Sequence, residues 1–556
     1  MSDVTRRSFL EQTLYIAAAG LAAARTAEGA RIDGATTQPS TQPSRRIPPS
    51  ERVAVAVLGL HGRGLEHLEN FASNDQVEVV AICDPDEAQY AKAQRKLLEH
   101  SRPAAKTYQD IRKLLEDRAI QAVSIATPNH WHTLAGVWAM ANGRDVYVEK
   151  PVSHNISEGR RLEQARIKYR RVCQAGLQSR SNRACQEATK YIHDGHIGKV
   201  MLSRGLCYKR RDSIGHFEDS SPPPTLDYNI WLGPAPQRPF NKNRFLYNWH
   251  WNWDYGNGDI GNQGVHQMDI ARWALGKGLP RAVTSLGGRF GYKDDGLTPN
   301  TQLAVFDYGD AKLLFEVRGL KTSPLMGVLT GNIVYGTEGF VAFTGDYGTA
   351  AAFDNKGKRV KTFHGASNHF ANFISAVQSR SQSDLNCPVL EGHLSSALCH
   401  LANVSYRLGV DQPFPVPGHE VMQDIDLTEA FGRFEQHLAD STFSTIDPNK
   451  IAAQFGEAPS GPKSKSRGVD RDPQASQDSL AQNAAAKLHA GDSASDEPTT
   501  RPSGPKEQLL KLETMTYQLG PRLEFDPKTE TFGANRQANH YLTREYRSPF
   551  VVPQRV

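Results

Sequence analysis

Gly59-Leu60-His61-Gly62-Arg63-Gly64 follows the apolar run Val53–Leu58 and leads into a helix-like stretch, Leu65–Ala72. A β-rich run, Val77–Ile82, comes next and stops just before Asp84. A glycine turn at the start of a helix offers free backbone N–H groups and the positive end of the helix dipole to a pyrophosphate. An acid some twenty residues later accepts hydrogen bonds from ribose hydroxyls. Gly59 allows the tight turn, and Gly64 lets the helix pack close to the strand. The middle glycine of G-x-G-x-x-G is His61 here, so Gly62 is expected to supply the close approach. A carboxylate at Asp84 repels a 2′-phosphate by ~1 to ~4 kcal/mol, depending on screening, and so favours NAD. Arg63 is able to pair a phosphate, which leaves NADP open.

Further elements must carry these residues. Tyr108–Asp117 reads as a helix, Gln121–Ala126 as a strand, Thr127–Asn142 as a turn and helix, and Asp145–Val148 as a strand ending at Glu149-Lys150-Pro151. Continuous apolar runs of this length suit parallel strands buried on both faces. The ligand crevice of such a sheet lies at the strands' C-terminal ends. Asp84, Thr127, Pro128, Asn129, His130, Glu149 and Lys150 are therefore expected on one rim. The expected fold is α/β over 51–175, a Rossmann domain with a doubly wound, mostly parallel sheet. Over 176–450 the pattern predicts an α+β domain with an open antiparallel sheet. Its strand-like runs are Val200–Tyr208, Ala282–Phe290, Leu303–Tyr308, Lys312–Arg318, Val328–Tyr335 and Gly339–Thr344. Helices are expected at Asn368–Val377, His393–Leu408 and Asp424–His437.

Gly261–Trp273 reads as another helix, closing at Gly276, a suitable C′ glycine. Asn262 and His266 are four apart and share a face if that helix starts early enough. Asp269 either orients the His266 imidazole or is a surface charge. Just upstream, Tyr247–Gly256 alternates aromatic and polar residues, as a strand or loop with its rings on one side. Those rings either stack on sugar C–H faces or belong to a core.

The glycine loop, Ala126-Thr127-Pro128-Asn129-His130-Trp131-His132 and Val146-Tyr147-Val148-Glu149-Lys150-Pro151 resemble the Gfo/Idh/MocA oxidoreductases, over roughly residues 51–440. The resemblance implies that Lys150 sits beside the nicotinamide and the reacting hydroxyl, where a cation stabilises developing charge and relays a proton. It also implies a cis bond before Pro151, and that His266 takes the substrate proton. The family's Asp position holds Asn262, which orients a hydroxyl or imidazole but carries no charge. The implied activity is hydride transfer between tightly bound NAD and a hydroxyl of a sugar, sugar acid or cyclitol. The alternative is an NAD-dependent glycosidase acting by transient oxidation and elimination. The open sheet implies a homo-oligomer.

The whole chain has 556 residues and a net charge of +5 with no long basic block, so neither one core nor a nucleic-acid partner is expected. Thr5-Arg6-Arg7-Ser8-Phe9-Leu10 and the weakly apolar Thr13–Ala24 read as a twin-arginine export signal rather than a membrane span. The expected location is the periplasm or otherwise outside the cytoplasm. That route carries folded protein with cofactor aboard, which calls for tight retention. Residues 36–50 read as a Pro/Ser/Thr/Gln linker, so 1–50 are left out of the fold. Residues 451–507 are low in complexity and expected to be disordered. The extension 508–556 regains apolar residues and docks either on this chain or on a partner subunit. The six cysteines contain no C-x-x-C pair, which argues for isolated thiols and against a metal site.

Overall fold

The apolar runs of the first half form strands because each is buried on both faces. The computed structural model describes residues 51–414, 425–443 and 515–556. The strands β1 (Val53–Leu58), β2 (Val77–Cys83), β3 (Lys106–Tyr108), β4 (Ala122–Ile125), β5 (Asp145–Glu149) and β6 (Cys173–Gly176) make one sheet in the order 3-2-1-4-5-6. All its pairings are parallel, with Leu58 of β1 opposite Cys83 and Ile125. This is the doubly wound Rossmann order, and it reverses direction between β1 and β4, where the crevice opens. The Asn129–Ala141 and Ile156–Tyr169 helices bury Leu134, Met140 and Leu162 against one side. On the other side Phe370, Phe373 and Ile374, from a helix late in the chain, pack with Leu68, Phe71 and Tyr147. Tyr108–Asp117, expected as a helix, is instead β3 followed by a short helix, Ile111–Leu114, capped by Asp110. Asp110 accepts from Arg112 N–H and starts the helix there, so the residues before it are free to pair with β2.

Among the described residues the second sheet is eleven-stranded and mostly antiparallel, and only β7 (Val200–Cys207) and β10 (Lys312–Arg318) pair in parallel. Strands β8 (Ala282–Gly288), β9 (Thr301–Asp307), β11 (Thr330–Gly336) and β12 (Gly339–Phe343) fall within two residues of the expected runs. Two further strands, β13 (Thr349–Asp354) and β14 (Arg359–His364), were not expected. The first is alanine-rich and the second is an exposed, basic edge, so neither carries a strong period-2 pattern. The Gly264–Leu275 helix packs on β7, β10 and β11. A Cβ at Gly264 would lie 3.0 Å from the Phe315 ring, so this helix is pressed close to the sheet.

The C-terminal extension docks on its own chain. Strands β15 (Val410–Pro413), β16 (Thr516–Leu519) and β17 (Leu523–Glu524) finish the sheet next to β8. The chain then crosses to the Rossmann domain, where the fully buried Phe550 meets the Trp131 ring edge-on at 5.5 Å. All six cysteines are buried free thiols. The arginine pair, the linker and the segment 451–507 lie outside the described residues. No described helix is long and apolar enough to cross a membrane.

Candidate active site

The β1 turn shows why each glycine stands where it does. Gly59 has φ +79°, and a Cβ there would lie 2.6 Å from the Ala126 carbonyl oxygen. At Gly64 a Cβ would come within 1.7 Å of the Gly59 carbonyl oxygen. At Gly62, the first residue of the Gly62–Ala72 helix, a Cβ would meet nothing within 4 Å. The space over Gly62, at the N-terminus of an 11-residue helix, suits a phosphate pair. His61 is exposed, with φ −79°, so the middle position needs no glycine. Asp84, at the end of β2, accepts from Leu60 N–H (2.8 Å) and Asp86 N–H (2.9 Å). Burial pushes its carboxyl up to about 7. These groups fit a dinucleotide: an open helix N-terminus for the phosphates, and an acid with which ribose hydroxyls can bond.

Arg63 departs from expectation. Its Nε donates to Glu149 Oε1 at 2.8 Å, its Nη1 to Glu66, and its guanidinium lies 5.7 Å from the Phe370 ring centre. The charge that was to pair a 2′-phosphate is already balanced inside the protein. Glu149 also faces His67 Nε2 (3.1 Å) and accepts from Lys150 N–H (3.1 Å). Burial opposes its charge, but Arg63 and His67 hold it well below the usual carboxylate range. Glu149 is thus a brace on the floor of the cleft.

One cleft is lined by Gly59, His61, Gly62, Arg63, Asp84, Thr127, Pro128, Asn129, Glu149, Lys150 and Asn262. His130 is not part of this lining: its Nε2 lies 3.0 Å from the Trp231 carbonyl oxygen, and its ring packs on Tyr255. Asn129 reaches across to Asn257 at 3.0 Å, tying the first domain to the second. His132, not singled out from the sequence, places its two ring nitrogens 2.6 Å from the Pro151 carbonyl and 2.7 Å from that of Thr127. It buckles the β4 turn to the turn that carries Lys150. The Lys150–Pro151 peptide is cis. Lys150 Nζ donates to the Asn262 carbonyl (3.1 Å) and reaches Asn262 Oδ1 (3.5 Å).

The expected pairing of Asn262 with His266 on one helix face is corrected. A short helix, Gly258–Gly261, ends at Asn262 (φ −86°, ψ −91°), and the long one starts only at Gly264. Asn262 therefore turns to Lys150. His266 sits in the first turn, fully buried, with its ring 5.7 Å from that of Tyr347. It does not line the cleft. Asp269 neither orients His266 nor lies on the surface. It is fully buried, holds Arg180 through Nε (2.9 and 3.0 Å) and Nη2 (2.9 Å), and accepts from Ser395 Oγ.

The Tyr247–Gly256 stretch begins as 3-10 turns over Leu246–Trp251, not as a strand. Leu246, Tyr247, Trp249 and His250 line the cleft opposite the glycine turn, while Trp251 and Tyr255 are core. Trp249 stacks on His250 at 3.6 Å. Ile230 and Trp231 reach the same wall from a one-turn helix, Tyr228–Leu232, which Asp227 caps by accepting from Ile230 N–H. Arg211, which donates to the Tyr247 phenol oxygen, was missed from the sequence because it belongs to no motif.

The crevice at the sheet's switch point, the glycine turn and Asp84 define a dinucleotide-binding protein of two domains. Residues 53–177 match the oxidoreductase family with an NAD-binding Rossmann fold, and 188–285 match that family's C-terminal alpha/beta domain. Over these two segments the chain is similar to the Gfo/Idh/MocA oxidoreductases. It is 26% identical over 302 residues to a scyllo-inositol 2-dehydrogenase (NAD(+)) of Bacillus subtilis, covering 52% of this chain and 73% of that one. An alpha-N-acetylgalactosaminidase of Shewanella oneidensis is 31% identical over 165 residues, 28% of this chain and only 36% of that protein. Among solved structures, the WlbA dehydrogenase of Bordetella pertussis, in complex with NADH and UDP-GlcNAcA, covers 66% of this chain and 100% of its own at 17% identity and TM-score 0.48.

Proposed function

We propose that this NAD-binding oxidoreductase oxidises or reduces a CH–OH group of a sugar, sugar acid or cyclitol. The observation that carries this reading is Lys150. Lys150, 7% exposed, lines one cleft together with the strand tips and the aromatic residues. NAD, when bound there, supplies the hydride acceptor. Lys150 would orient the substrate oxygen and stabilise its developing negative charge, in a site where low solvent access strengthens both effects. The Trp249, Trp231 and Tyr247 rings would cover apolar sugar faces, and Asn262 would hold a hydroxyl. NADH formation with a panel of sugars, sugar acids and cyclitols tests the reading; a panel that leaves the NAD-loaded enzyme's absorbance unchanged contradicts it.

A second reading, an NAD-dependent glycosidase working by transient oxidation and elimination, is favoured by the uncharged Asn262 and by the galactosaminidase relative. Cleavage of an aryl glycoside without net NADH would select it. We further propose export by the twin-arginine route with cofactor retained, which predicts nucleotide in the mature protein as purified. An assembly through the open sheet is proposed on the resemblance alone.

A further inference from the structure

The cleft does not end at Asp84. Pro85, Asp86 and Gln109 carry its lining past the tips of β2 and β3. In the strand order 3-2-1-4-5-6 the β2 tip lies three strand spacings, roughly 14 Å, from that of β5 and Lys150. This is the end where a dinucleotide bound through Asp84 keeps its adenosine. Here a segment of the second domain crosses onto the Rossmann domain. Leu226 pairs with Asp86 as an isolated antiparallel bridge. On either side of it, Glu87 N–H donates to the Thr225 carbonyl (3.0 Å) and Asp227 N–H to that of Pro85 (2.8 Å). Thr225 Oγ1 donates to Asp86 Oδ1 (2.7 Å), and Gln109 Nε2 reaches the Thr225 and Pro85 carbonyls at 3.4 and 3.3 Å.

The segment is stiff, and it is fastened beyond the bridge as well. Pro222, Pro223 and Pro224 each fix φ at about −65°. Leu226 N–H closes a turn on the Pro223 carbonyl (3.0 Å), with Pro224 at the position where turns favour proline. Leu226 is buried in one cluster with Trp231 and Phe245, which also line the cleft. Arg547 of the C-terminal segment donates to the Asn229 and Gly233 carbonyls (2.6 and 3.1 Å) and so anchors the Tyr228–Leu232 helix that follows. The three prolines face solvent.

We propose that residues 222–227 are a strap across the adenosine end of the cleft, and that NAD leaves only when the strap peels from residues 85–87. Thr225 and Asp227 are positioning residues: they hold Asp86 and Pro85 and touch no reacting atom. The inference rests on the NAD-binding reading and deepens that of a retained cofactor, since it names the segment that retains it. Peeling gives up the bridge, the Thr225–Asp86 bond and the burial of Leu226 together, so release is slow. Substrate exchange beside Lys150, at the other end of the cleft, does not require it.

The rate of NADH release tests this, followed by fluorescence after the loaded protein is mixed with excess NAD. Thr225→Val keeps the shape of the strap but removes its bond to Asp86. It should speed release about tenfold or more, with the thermal midpoint unchanged. A crosslink should act in the opposite direction. Asp86 and Leu226 form a non-hydrogen-bonded pair, which sets their Cα atoms about 4.5 Å apart, within disulfide reach. In the double variant Asp86→Cys/Leu226→Cys, the oxidised protein should load and release NADH about tenfold or more slowly than the same protein reduced. Failure of the two cysteines to join under oxidation contradicts the pairing itself. Equal rates in the oxidised and reduced forms, or release unchanged by Thr225→Val, overturn the strap while wild-type NAD binding leaves the cofactor reading standing. A wild-type protein that binds no NAD contradicts that reading instead.

Discussion

Lys150 and Asp84 act on different ends of the proposed ligand, and their variants should fail differently. Lys150→Met removes the charge beside the substrate oxygen and should cut turnover by ~10²-fold or more while NAD still binds, as read by calorimetry beside the activity assay. Unchanged turnover would remove Lys150 from the mechanism. Asp84 carries a pH signature. Burial lifts its carboxyl to about 7, so the folded, ligand-free protein favours the protonated form, and raising the pH through that range ionises it. Ribose hydroxyls donate to the ionised form. NAD affinity should therefore rise between about pH 6 and pH 8, and Asp84→Asn should flatten that rise; a wild-type affinity independent of pH would contradict it. Asp84 was legible in the sequence because a strand, a turn and a helix fix its place. The helix expected through Asn262 and His266 starts only at Gly264, because one backbone break, at Asn262, interrupts it, and no residue type there announces it. Arg211 was illegible because it meets Tyr247 through space, from a segment 36 positions away.

At the scale of elements, helix starts hold the cleft together. Asn155 accepts from Glu158 N–H, and Glu158 returns its carboxylate to His154 N–H and Asn155 Nδ2, a reciprocal cap just after the Lys150 turn. Burial pushes Glu158 up to about 7. The folded state then binds more protons than the unfolded chain above about pH 4, so this group's contribution to stability falls as pH rises from about 4 to about 7. Glu158→Gln should flatten that part of the Tm-against-pH curve; an unchanged slope would contradict the cause given. The glycine turn makes a sharper claim. Gly64→Ala drives a methyl into the Gly59 carbonyl and should cost several kcal/mol by denaturant unfolding, above the ~1 kcal/mol of an ordinary substitution. The parallel strands were readable because double burial leaves a run of unbroken apolar residues. β13 and β14 were not, because an alanine run and a charged edge lack that mark.

Across the whole molecule, the C-terminal segment joins the domains. Besides Phe550 on Trp131, Tyr546 donates to Glu158, and Arg544 reaches the Asp254 carbonyl (2.8 Å) and His154 Nδ1 (3.2 Å). It therefore ties the helix after Lys150 to the loop following the aromatic wall. Phe550→Ala should cost roughly 3–5 kcal/mol of stability, measured from the denaturation midpoint, and a loss below about 1 kcal/mol would mean the segment is not part of the core. Its apolar residues were visible in the sequence, but where they dock depends on surfaces some 400 positions away, beyond the reach of local pattern. The account as a whole requires a dinucleotide over Gly62, the one glycine of the turn where a methyl meets nothing in the protein. Calorimetric titration of nucleotide-stripped protein with NAD tests it most directly. The predicted result is saturable binding of one NAD per chain, weakened tenfold or more by Gly62→Ala with no loss of thermal stability. Absence of binding, or binding untouched by that methyl, would contradict it.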